Sequence, residues 1–161
     1  MRRKRAPLLT AQQLLDEAYD ARLRALERIR SSAGVVHASR ARLESAQRSS
    51  SAELERLEER ARELLAAGDE TGARAVAAKC VPIDGDIEAA AHELGKYRDA
   101  EAHLETMRDM VAQQLTTLRK QRESMRSAHA SGAALETVRT QLDLLAAQFA
   151  PVERELATPP R

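Results

Sequence analysis

From Ala11 to Ala67 the apolar residues return at alternating steps of four and three. One series holds Leu15, Arg22, Ile29, Val36, Leu43, Ser50, Leu57 and Leu64. The other, four residues on, holds Tyr19, Leu26, Ala33, Arg40, Gln47, Leu54 and Ala61. Most of these are apolar, and a sustained seven-residue repeat of this kind marks a coiled-coil helix. The faults are Arg22, Arg40, Gln47 and Ser50. Three of them fall between Arg40 and Ser50, where serine also accumulates, so looser packing is expected there. Thr10 and Gln13 have the spacing of a capping box at the start of the helix.

Near the midpoint the chain interrupts itself, in "ELLAAGDETGARAVAAK". Gly68 stands where a left-handed C-terminal cap belongs. Asp69 can cap a following helix, with Glu70 in its first turn favoured by the helix dipole. A stop and a restart this close predict two antiparallel helices joined as a hairpin, with its tip near 67–71. The second helix carries the matching stripe: Ala73, Val76, Cys80, Ile83, Ile87, Ala90, Leu94, Tyr97, Leu104, Val111, Leu115, Leu118 and Met125, with Glu101, Arg108 and Arg122 as its faults. Pro82 and Gly85 weaken it, and either a kink or a short break is possible there. The stripe keeps phase across them, which favours a kink.

"SAHASGA" ends the second helix. A third is expected from about Ala134 to Phe149, or on to Leu156, with Pro151 restricting Ala150. Its apolar positions, Leu135, Val138, Leu142, Leu145 and Phe149, form one face that needs a partner, a hint that a monomer is incomplete. "ATPPR" reads as a frayed tail. The expected fold is therefore all-α: a basic arm over 1–10, a long antiparallel two-helix coiled-coil hairpin over 11–130, and a short helix and tail over 131–161.

Composition supports this. Of 161 residues 32% are charged and 2% aromatic, with apolar content dominated by Ala and Leu; such a mixture suits long helices rather than a globule. No alternating Val/Ile/Thr run reads as a strand. The formal net charge is +1, which argues against a nucleic-acid binder. The outer face carries i,i+4 pairs in the favourable order, among them Asp20 with Arg24, Glu44 with Arg48 and Glu58 with Arg62. Arg2, Arg3, Lys4 and Arg5 are a local exception to the charge balance, a solvated arm or a contact for anionic lipid headgroups. No apolar run is long enough to span a membrane, so a cytoplasmic location, or a peripheral one on the inner face of the cell membrane, is expected.

The tip "LLAAGDETGARAVAAK" resembles the hairpin tip of the phage-shock-protein A family, which includes the vesicle-inducing protein of plastids and is related to ESCRT-III. The matching residues are Ala67, Gly68, Asp69, Ala73, Arg74, Ala75 and Lys79. "LLAAQFAPVERELA" is similar to the Phe-containing helix that follows the family's hairpin. The resemblance implies a non-catalytic scaffold that self-assembles and associates with membrane in envelope stress or membrane remodelling. It assigns assembly contacts to Gly68, Asp69, Ala73, Arg74 and Ala75. Two departures stand out: Gly72 where the family has Leu, and a basic N-terminus where the family has an amphipathic helix. The alternative is a soluble coiled-coil adaptor that docks on a protein partner such as an export or stress-response ATPase. Hairpin stalk proteins of flagellar and type III export share its length, basic start and paired helices.

No catalytic, metal or cofactor-binding constellation is expected. His37, His92, His103 and His129 lack a zinc-type spacing, and Cys80 is the only cysteine. A small apolar role is expected for it. "GDETG" lacks the Gly-Lys-Ser/Thr ending of a phosphate loop. An enzyme is not expected. The expected partners are a second copy of the chain, an anionic membrane surface or a protein, and not nucleic acid.

Overall fold

A computed structural model describes residues 10–127 and 132–158. The fold is all-α. Helix α1 spans Ala11–Ala66, α2 spans Glu70–Ser127 and α3 spans Gly132–Ala157. The two long helices pack closely as an antiparallel hairpin. The start of α1 has the expected capping box: Gln13 N donates to Thr10 Oγ1 (3.2 Å) while Thr10 N donates to Gln13 Oε1 (2.9 Å), so two otherwise orphaned amides are satisfied reciprocally.

α2 runs through Pro82 and Gly85 without a break. Pro82 has no N–H to give the Ala78 carbonyl. Both residues are exposed, so water can solvate that carbonyl at little cost. α3 likewise runs through Pro151, which is exposed while its neighbour Val152 is 1% exposed. The third helix thus reaches the farther of its two expected ends, Leu156, and takes in Ala157 as well. The basic arm and His129 lie outside the described residues.

The chain divides into two compact units. Unit 1 comprises the described residues of 1–32 and 104–161, and unit 2 comprises 33–103. In unit 1, Ala25, Ile29, Met107, Val111, Leu115, Phe149 and Val152 form one core cluster. Ala11, Leu15, Leu118 and Val138 form a second. Both draw on all three helices. The apolar face of α3 is thus covered within the chain. Val138, Phe149 and Val152 of that face are 5%, 2% and 1% exposed. The end of α3 is tied down by the Arg28 guanidinium, which donates to the Leu156 carbonyl. A cation at a helix C-terminus is favoured by the dipole.

The α2 stripe needs one correction here. Arg108 does not lie on it: Arg108 is exposed and pairs with Glu105 and Asp109. Met107 and Gln114 are buried instead, at 5% and 3% exposure. A helix facing two partners must bury a wider arc than a two-stranded seam, so Gln114 and Leu115 are both enclosed.

Unit 2 is a two-helix structure with little enclosed volume. Its fully buried side chains are Ala73 and Leu94. The expected stripe positions Val36, Ala33, Leu43, Leu54, Leu57, Ala61 and Leu64 are all half-buried. Cys80 is half-buried as well. The polar faults meet polar groups. Arg40 Nη1 lies 2.6 Å from Glu101 Oε2, one fault answering another across the helices. Glu44 pairs with Arg40 (3.4 Å), whereas the expected Glu58–Arg62 pair forms at 3.5 Å. Gln47 Nε2 donates to the Ile87 carbonyl at 3.4 Å, close to the helix-weakening Pro82 and Gly85.

Candidate functional site

The sequence points to the hairpin tip, which is built from backbone requirements. Gly68 has φ 83°, a left-handed conformation that a Cβ disfavours. Its N–H donates to the Leu65 carbonyl (3.0 Å) and the Asp69 N–H to the Leu64 carbonyl (2.9 Å). These are the two bonds of a Schellman cap. Asp69 then caps α2 by accepting the Gly72 N–H at Oδ1 (2.9 Å), as an N-cap carboxylate should. A Cβ on Gly72 would overlap that carboxylate, so the small residue lets Asp69 fold tightly over the first turn. This is a local reason for the glycine at the position where the resembled family has leucine.

Of the remaining tip residues, Ala73 is 3% exposed, a small side chain enclosed by the hairpin. Arg74 and Ala75 are exposed. Arg74 Nη2 lies 3.6 Å from Glu70 Oε2, one helical turn back, in a pair with 84% and 74% of the side chains exposed. A pair so exposed contributes little to stability. The tip thus gathers the expected residues, and the structure accounts for Gly68, Asp69, Gly72 and Ala73 as parts of the turn. Arg74 and Ala75 are presented to solvent. Leu65 and Val81 of unit 2 are also exposed, at 56% and 72%.

The polar core of unit 1 was not anticipated. Arg22, a fault in the stripe, is 6% exposed. Its guanidinium carbon lies 4.3 Å from the centre of the Phe149 ring, and its Nε donates to Gln114 Oε1 at 3.1 Å. Gln114 Nε2 in turn donates to the Leu145 carbonyl at 3.2 Å. Burial pushes the Arg22 guanidinium down from the ordinary arginine value, with Glu153 pulling it back up. A parallel arrangement holds Arg122, 2.8 Å from Asp16 and 4.6 Å from the Tyr19 ring centre. The signal in the sequence was the spacing of Arg22 and Arg122 on their stripes, together with aromatics at matching positions.

His37 Nδ1 lies 3.7 Å from Glu101 Oε1 with His37 itself largely exposed; His92 and His103 are exposed. Among the described residues no group of three or more His, Cys, Asp or Glu is placed to hold a metal ion. A depression of about 240 Å³ in unit 1 is lined by Ala21, Arg24, Arg28, Phe149, Glu153 and Leu156. An open groove of about 480 Å³ in unit 2 is lined by Ser39, Arg42, Leu43, Glu93 and Tyr97. Neither brings together a nucleophile, a base and an oxyanion donor. No described helix is long and apolar enough to cross a membrane.

The class these features define is an all-α helical hairpin with a third packed helix. No family model, curated protein or solved structure matches the chain.

Proposed function

We propose that this chain is a non-catalytic coiled-coil adaptor that docks on a protein partner through its two-helix unit. The observation that supports this most is the closure of α3 onto its own chain: Phe149 and Val152 are spent inside unit 1 and are not left over for a neighbouring copy. Gly68, Asp69 and Ala73, three of the tip residues that carry the resemblance to a membrane-remodelling scaffold, have sufficient reasons in the turn itself. Unit 2 leaves Val35, Leu65 and Val81 exposed at separate places along its two helices, points where a helical partner could gain apolar contact. An export or stress-response ATPase is a partner of the fitting kind.

The second reading is a self-assembling scaffold of the phage-shock kind, peripheral on membrane. The exposed Arg74, beside exposed Ala75, Ala77 and Ala78, favours it as a subunit contact. Light scattering and negative-stain electron microscopy of the full chain over a wide concentration range separate the two. The adaptor gives one small species at every concentration and does not float with anionic vesicles. Rods or rings that Arg74→Glu abolishes would overturn the adaptor reading in favour of the scaffold.

A further inference from the structure

Arg22 is an arginine in a place where the repeat calls for a hydrocarbon. It is nearly enclosed, at 6% exposure, yet no described carboxylate forms an ion pair with it, and Glu153 acts on it only through space. Nε has Gln114, Nη1 reaches the Ala18 carbonyl at 3.4 Å, and Nη2 has no hydrogen-bond partner. The lid on this charge is α3: the Phe149 ring lies over the guanidinium, and the Leu145 carbonyl takes the Gln114 amide. Removing α3 would return both polar side chains to water, and docking it takes that water away. A buried charge without a paired carboxylate opposes the burial that surrounds it. Its closest ring contact offsets part of that cost, since a cation over an aromatic face is attracted.

The other polar ties of α3 are of a kind that water replaces. Arg28 with the Leu156 carbonyl and Gln121 with Gln141 are both exposed contacts. By contrast, α1 and α2 also pair with each other over 33–103, where α3 takes no part and Arg40 meets Glu101 across the helices. We propose that α3 is a reversible cover, which undocks from α1 and α2 while these two helices stay paired, and that buried Arg22 sets how readily it does so. Release uncovers Ala25, Leu115 and Leu118, a groove for an amphipathic helix of α3's own pattern with an aromatic at the Phe149 register.

The test is amide hydrogen exchange, resolved by peptide, on the full chain and on Arg22→Met. In the wild type the α3 amides should exchange about tenfold or more faster than those of 111–118, the behaviour of a separate opening unit. Arg22→Met should slow α3 by about tenfold and 111–118 by no more than the same factor, because a neutral side chain of similar length removes a desolvation cost of the docked state from which both openings start. Exchange of α3 together with 111–118, or an α3 that Arg22→Met leaves unchanged or loosens, would overturn the proposal. A second measurement adds a labelled peptide of residues 132–157 to full-length Phe149→Ala and to wild type. The peptide should bind the variant at least about tenfold more tightly, since the variant's own cover is weakened. Equal binding to the two, or binding to neither, counts against it.

Discussion

The two units are made from the same pair of helices and the same seven-residue repeat, but they bury different amounts. In unit 1, Ala11, Leu15, Ala18, Arg22, Ala25, Ile29 and Ser32 of α1 are all buried or half-buried, a face widened on one side by a third series of small residues. In unit 2 the same helix buries no residue fully, and its half-buried positions are the two stripe series with Ser39, Glu44 and Ser51 beside them. The difference is the third helix. A two-stranded seam shields each side chain from one direction, whereas a third helix closes the groove beside it. The polar faults follow the same logic. Arg40 in unit 2 keeps 28% of its side chain exposed and pairs with Glu101, while Arg22 in unit 1 is enclosed and leans on an aromatic ring instead.

Four substitutions test that contrast. Phe149→Ala should be the most costly, about 3–5 kcal/mol by urea or thermal unfolding, because it empties a closed three-helix core. Leu94→Ala removes the large fully buried side chain of unit 2 and should cost about 2–3 kcal/mol, with faster hydrogen exchange confined to 33–103. Should it cost as much as Phe149→Ala, the two units would be equally well packed and the contrast would fail. Gly68→Ala should cost about 1–2 kcal/mol, read by the same unfolding curves, since alanine at φ 83° is strained even with open space around it. Asp69→Ala loses one helix cap and should cost about 1 kcal/mol; replacement by Asn should restore most of it. An Asp69→Ala protein as stable as wild type would mean that the tip turn is held by the Schellman bonds alone.

Much of the hairpin was legible because its rules are local. The stripe from Leu15 to Leu64 is buried or half-buried at every position predicted, including the polar ones. The Thr10–Gln13 box and the Gly68–Asp69 turn form as their residue types require. The apolar face of α3 was legible too, though not what covers it. α2 continues through Pro82, as the unbroken phase of its stripe favours, and α3 past Pro151, because a proline on an exposed face loses a bond that water can supply. What failed did so for physical reasons. Met107 and Gln114 were missed because a single periodic stripe cannot show a helix serving two neighbours. Arg22 was visible as a fault and invisible as a buried cation.

Periodicity, caps and turn residues were enough to determine three helices and the antiparallel return, since each depends on interactions within a few residues. Tertiary structure alone decided where α3 lies and hence what Arg22 is. Its bond to Gln114 joins residues 92 apart in the chain, and whether an arginine stays in water or is enclosed depends on a helix that arrives more than a hundred residues later. Burial is a property of all the neighbours together, and no local pattern contains them.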